Sequence, residues 1–154
     1  MTIYAFLTVV KCSNSWIEFP FTAGTKSVCI VAQDMNQADA DKYCKSGGMK
    51  LLQIDSAATQ TSIIALLNTN FQGQQYYFRV DGLRDESGDN QWYYYNNGKA
   101  PAFVGLDWYV SYDTLLGRSS LAVTNSAYPM NKLIPSYKID GVDPVAIYPC
   151  ICEF

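Results

Sequence analysis

Apolar positions in this chain change their period twice, and the changes divide it into three stretches. The opening residues 1–10 mix Ile3, Ala5 and Phe6 with Thr2, Tyr4, Leu7 and Val9 without clean alternation and without a basic start. They predict a first strand, the other reading being the remnant of a secretory signal. Cys12 and Cys29 then bracket Trp16-Ile17-Glu18-Phe19 and a turn at Ala23-Gly24-Thr25, the pattern of a hairpin tied at its base. From Asn36 the period becomes helical. Asn36 caps a helix that Gly47-Gly48 stops, with Ala40, Tyr43 and Cys44 on one face. A short strand at 49–54 follows. Ser56 caps a second helix running to about 68, whose apolar set Ala57, Ile63, Ile64, Leu66 and Leu67 forms one broad stripe.

Beyond residue 76 the text is β. Strands are predicted at 76–80 and 91–95 around the acidic turn Asp85-Glu86-Ser87-Gly88-Asp89-Asn90, with Asn97-Gly98 as the next turn. Two more fall at 119–124 and 145–153. The intervening stretches 99–118 and 125–144 show no regular period, and irregular segments of that length usually carry function.

Composition narrows the chemistry. The 154 residues are enough for one domain with a real core, read as a single unit over 1–154 with the hairpin at 12–29. A net charge of -3, with 11 Lys and Arg spread along the chain, argues against a nucleic-acid partner. No apolar run reaches the roughly 18 residues of a membrane span, so no membrane insertion is expected. Histidine is absent, which removes the commonest general base and the commonest zinc ligand. The pairs Asp81 and Asp85, or Asp140 and Asp143, are close only in sequence, and no glycine-rich stretch carries a phosphate-loop Lys-Ser or Lys-Thr. Five cysteines, one near the start of the helical stretch and two in the last five residues, suggest a covalent clamp and an oxidising, extracellular setting.

The order of Tyr43-Cys44, Gly47-Gly48, Leu51-Leu52-Gln53-Ile54-Asp55-Ser56, Asp81-Gly82-Leu83, Trp92-Tyr93-Tyr94, Gly98, Trp108 and Ile151-Cys152-Glu153 resembles that of C-type lectin-like domains over residues 12–154. The resemblance implies an α+β fold with two helices, small antiparallel sheets and a long irregular loop region. It implies disulfides Cys44–Cys152 and, as in the long form, Cys12–Cys29. Cys150 is then left over, with three readings open: a buried free thiol, an intermolecular bridge, or exchange with Cys152 for Cys44. Two family features are missing. The second bridge of the family would fall near Ser120 and Pro144. The calcium and sugar triplets (Glu-Pro-Asn or Gln-Pro-Asp in the loop, Trp-Asn-Asp on a strand) are replaced by Ser111-Tyr112-Asp113-Thr114-Leu115 and Ile139-Asp140-Gly141. Calcium, which takes six to eight oxygens, is the one cofactor the resemblance brings in, and Asp113 and Asp140 are few ligands for it.

Candidate ligand-contacting residues are Tyr109, Tyr112, Asp113, Tyr128, Asn131 and Asp140 in the long loops, where tyrosine gives rigid amphipathic contact area. Trp92, Tyr94 and Trp108 read as core. Tyr93 and Tyr95 point the opposite way from Trp92 and Tyr94, and with Asn96 and Asn97 offer a polar-aromatic platform. The expected function is a secreted, non-enzymatic recognition module for surface glycans or glycoproteins, of the defence, mucus or adhesion type, with the binding face at 103–142. The alternative is a calcium-independent protein-binding or structural matrix component, assembling as a homo-oligomer through Cys150 or through Leu115, Leu116, Leu133 and Ile134.

Overall fold

The computed structural model describes residues 12, 17–109, 116–127 and 131–154, so the expected first strand at 1–10 lies outside the described residues. Strands β1 (Glu18–Ala23) and β2 (Lys26–Met35) form an antiparallel hairpin, and Cys12 is bonded to Cys29. Helix α1 (Gln37–Ser46) starts where Asn36 Oδ1 accepts from the Asp39 N–H at 2.9 Å, and its buried face carries Gln37, Ala40 and Cys44. Strand β3 is only Lys50–Leu51, because the chain leaves the sheet for α2 (Ala57–Asn70) once Ser56 Oγ accepts from the Thr59 N–H. On α2 the buried residues are Thr59, Ile63, Leu66 and Leu67, while Ala57 is exposed. Burying Ile63 and Leu67 contributes roughly 2 kcal/mol each.

Five strands follow: β4 (Tyr77–Arg84), β5 (Trp92–Tyr94), β6 (Ala100–Pro101), β7 (Ser120–Ala127) and β8 (Lys132–Val142), with β9 (Tyr148–Glu153) closing the chain. All nine join in one curled sheet rather than in separate small ones. Neighbours run antiparallel except β4 and β9, which meet in parallel at Arg79 and Cys150. β9 therefore lies inside the sheet, between β2 and β4. There Cys152 bonds Cys44 and fixes α1 against it.

β8 corrects the reading of 103–142 as one irregular binding face. Its eleven residues pair with β7 from Ala127↔Lys132 to Ser120↔Val142. Pro135 and Gly141 interrupt the sequence pattern yet fit the strand. Pro135 is tolerated because it falls where the β7–β8 register shifts, between the paired residues Leu133 and Lys138, and has no ladder partner there among the described residues. Gly141 is required because a Cβ there would stand 2.4 Å from the Arg118 carbonyl oxygen. Gly82 in β4 meets the same kind of constraint, since a Cβ would reach Leu121 Cβ at 2.7 Å where the β4–β7 register shifts.

Arg79 lies at the centre of this arrangement and is completely buried. Its Nε donates to the Met35 carbonyl (3.0 Å), Nη1 to Ser120 Oγ (2.8 Å), and Nη2 to the carbonyls of Asp143 (2.9 Å) and Ala146. Ser120 Oγ in turn donates to Gln37 Oε1 at 2.7 Å. Ser120 and the segment beside Pro144 are thus joined through a guanidinium, at the two places where the resemblance puts a second disulfide.

Cys150 is a free, fully buried thiol whose sulfur lies within 4.8 Å of those of Cys44 and Cys152. Burial pushes its pKa up to about 12, so at neutral pH it is a protonated thiol rather than a nucleophile. Iodoacetamide at about pH 8 is expected to leave Cys150 unmodified in the native protein and to label it only after denaturation, read by intact mass. Rapid labelling of the native protein would show that the thiol is accessible.

Candidate functional site

The long segment after β6 returns to the sheet at Trp108. The Ile139 N–H donates to the Asp107 carbonyl and the Tyr109 N–H to the Ile139 carbonyl, both at 2.8 Å. Trp108 is half-buried, with its ring 5.2 Å from that of Trp92. Gln60 of α2 pins the same segment from below: its Oε1 accepts from the Asp107 N–H at 2.7 Å, and its Nε2 donates to the Gly105 carbonyl at 3.1 Å. On the outside, Lys138 Nζ meets both Asp107 carboxylate oxygens at 3.0 and 3.1 Å, with side chains 37% and 45% exposed. Tyr109, half-buried, makes the last of these strand-like bonds.

Asp140 is two residues along β8 from Lys138 and has a different fate. Its side chain is 0% exposed, Oδ2 accepts from Arg118 Nη2 at 3.1 Å, and Oδ1 accepts from the Gly141 N–H at 2.9 Å. Burial pushes its carboxyl above the ordinary value, a shift that Arg118 only partly counters. The reading of Asp140 as a ligand or metal contact is corrected by this geometry, since the carboxylate faces the protein interior and Arg118. The donor set does not fit calcium: among the described residues no group of three carboxylates converges, and the two clusters of potential metal ligands both contain disulfide-bonded cysteines.

The other sequence candidates are dispersed. Asn131 sits at the opposite end of β8, nine positions from Asp140, or roughly 30 Å along an extended strand. It has a positive φ of 48°, and its carbonyl accepts from Gln75. Tyr93 donates to the Asp89 carboxylate, and Lys99 Nζ lies 4.2 Å from its ring centre. Tyr95, 40% exposed, faces a cleft beside α1. The two tyrosines therefore serve different surroundings. Tyr94 is buried, donating to the Ile54 carbonyl and accepting from the Phe103 N–H at 3.1 Å. Tyr112, Asp113 and Tyr128 lie outside the described residues.

Sequence reasoning passed over Asp107, Lys138, Gln60 and Arg118. The alternation Lys138-Ile139-Asp140 carried a signal, since the two charges share one strand face, but their partners come from 31 and 22 positions away.

Replacing Arg118 with Met is expected to leave Asp140 buried and unpaired, lowering stability by about 3 kcal/mol at neutral pH. Losing the cation raises the carboxyl further, and a raised acid binds its proton more tightly in the fold than in the unfolded chain. The deficit should therefore shrink as pH falls through that raised value. Denaturant unfolding of both proteins across pH checks this, and a deficit constant with pH would contradict it.

No protein-family model matches the sequence, and no curated protein matches it. Solved structures do. The chain is similar to the C-type lectin domain of murine dendritic cell inhibitory receptor 2, solved in complex with N-glycan, at 16% identity over 94% of this chain and 98% of that one, with TM-score 0.67. It is similar to the Ca2+-independent C-type lectin SPL-2 from Saxidomus purpuratus at 18% identity, covering 94% and 97%, with TM-score 0.61. A Ca2+-dependent type II antifreeze protein, in its Ca2+-free form, matches at 17% identity over 88% and 96%, with TM-score 0.64. With two helices on a curled mixed sheet and these neighbours, the chain has the C-type lectin-like fold, of the α+β class.

Proposed function

We propose that this protein is a secreted, non-enzymatic recognition module that binds extracellular glycans or glycoproteins without calcium. One observation carries the reading: the half-exposed Asp107–Lys138 pair lies two residues along the returning loop from Tyr109, whose N–H bonds to β8 at Ile139. A carboxylate and an ammonium side by side offer an acceptor and donors to sugar hydroxyls, and a tyrosine ring offers an apolar face to sugar C–H groups. Calcium would normally supply that hydroxyl-binding chemistry in a C-type lectin site, and Asp140 is occupied by Arg118 instead. Two similar structures, one a C-type lectin domain in complex with N-glycan and one a Ca2+-independent C-type lectin, support the same reading. Two disulfides fit an oxidising compartment, and no helix among the described residues is long and apolar enough to cross a membrane.

A second reading has its own observation. Val104 is 99% exposed and Leu116 83% exposed, flanking the same loop, and such residues suit a protein ligand. Assembly through Cys150 is disfavoured because its thiol is buried.

A glycan array run with calcium and with chelator tests the proposal. Binding should be equal in both conditions and fall about tenfold or more in Lys138→Ala, which leaves a hydroxyl-binding acceptor without its donor. Binding lost on chelation would overturn the calcium-free mode, and absence of glycan binding in both conditions would favour the protein ligand.

A further inference from the structure

Asp81 is the carboxylate that the site above leaves unused. It lies in β4 and is 4% exposed, and its oxygens accept from the backbone N–H groups of Tyr95 (3.0 and 3.2 Å) and Asn96 (3.0 Å). Those bonds tie the chain after β5 but bring no positive charge. Among the described residues no Lys or Arg lies within ion-pair distance of Asp81. Buried carboxylates are ordinarily paired, because an isolated charge is costly to desolvate. Burial accordingly pushes the Asp81 carboxyl above its usual value, with Asp41 adding to the rise.

A cleft of about 450 Å³, lined in part by Asp81, lies between α1 and the turn at 143–147. Ala38, Leu83, Pro144 and Val145 give it apolar walls, and Tyr95 lines one side. Asp41 and Lys45 also line it and pair with each other at 2.7 Å, and the Lys45 ammonium feels the charge of Asp81 more weakly than that of Asp41. The outer wall is held in place from inside, since Arg79 binds the carbonyls of Asp143 and Ala146 and the Gln37 N–H binds that of Pro144 at 2.9 Å. The cleft is thus a framed cavity whose volume falls in the range of small-molecule sites.

We infer that this cleft binds an organic ammonium group carried on an apolar body. The cation sits against Asp81 and the face of Tyr95, and the body lies between Ala38 and Val145. A carboxylate with an aromatic ring is the combination that recognises ammonium ions, and the apolar walls exclude strongly hydrated inorganic cations. The same chemistry is presented by a free amine and by a lysine side chain of another protein. The inference does not depend on the glycan reading, whose residues lie on the returning loop and β8.

The test is a titration of the intact, disulfide-bonded protein followed by amide NMR, with phenethylamine, its neutral counterpart 2-phenylethanol, and N-acetyl-lysine methylamide as probes. Phenethylamine should shift the amides of Ala38, Asp41, Tyr95 and Val145 and bind at least about tenfold more tightly than the alcohol. Tighter binding of the lysine derivative than of phenethylamine assigns the ammonium to a protein side chain, and the reverse order assigns it to a free amine. Asp81→Asn should lose about tenfold or more in affinity. Because that change also loosens the turn at 95–96, Ala38→Arg serves as the second variant: Ala38 is exposed on α1, and the new cation at the mouth should abolish amine binding with an unchanged thermal midpoint. Equal affinity for amine and alcohol, or amine binding undiminished by Ala38→Arg, would overturn the inference.

Discussion

A buried guanidinium holds the middle of this molecule. Arg79 gathers the end of β2, the start of β7 and the turn before β9 around one planar fork, with donors satisfied by three carbonyls and a hydroxyl rather than by a carboxylate. Burial depresses its pKa to about 10, so it is charged throughout the neutral range. A depressed base costs stability at every pH below that value, because the unfolded chain holds the proton more tightly. The charge itself therefore stabilises nothing. What offsets the cost is the set of charge-assisted hydrogen bonds, together with the ring of Tyr148 5.3 Å away. Removing the fork would leave the carbonyls of residues 35, 143 and 146 without this donor, so the cation specifies one geometry for segments that local propensity leaves undetermined.

Covalent and polar ties divide the molecule between them. Cys44 and Cys152, 108 positions apart, fix α1 to the central strand, worth about 4.7 kcal/mol in the loop-entropy model. The shorter Cys12–Cys29 loop, 17 positions, is worth about 3 kcal/mol on the same account. The region between β7 and β9 has no such bond among the described residues and depends on Arg79. The fork holds the turn from inside and leaves its outer surface free, and that surface is the wall of the α1 cleft. The pair Arg118–Asp140 removes a carboxylate from solvent at a place where the sequence resemblance would put a metal ligand.

The helices and most strands were legible because their signals are local. Asn36, Ser56 and Gly47-Gly48 cap or stop helices by short-range hydrogen bonding and backbone freedom, and the strands at 76–80 and 91–95 carry compact β-formers. β8 was not legible. Residues 125–144 show no regular period, and the pairing with β7 and the close approach of Arg118 to Gly141 are long-range features. Arg79 was equally hidden, since an arginine in a strand reads as a solvated residue and its partners stand 41 to 67 positions away. The candidate site was legible only in part. Asp107 and Lys138 meet across 31 positions and Arg118 and Asp140 across 22, so neither pairing shows in a local pattern. The absence of the second bridge shows in Ser120 and Pro144, whereas the Arg79 fork that joins Ser120 to Asp143 spans positions too far apart to read locally.

The central role of Arg79 is tested most directly by native-state hydrogen exchange of Arg79→Met beside the unaltered protein. The account predicts a selective loss of protection at the amides of Gln37 and Ala146, which bond within the turn that Arg79 holds, while the β1–β2 and β2–β9 ladders keep theirs. Protection lost uniformly across the sheet, or retained at Gln37 and Ala146, would contradict it.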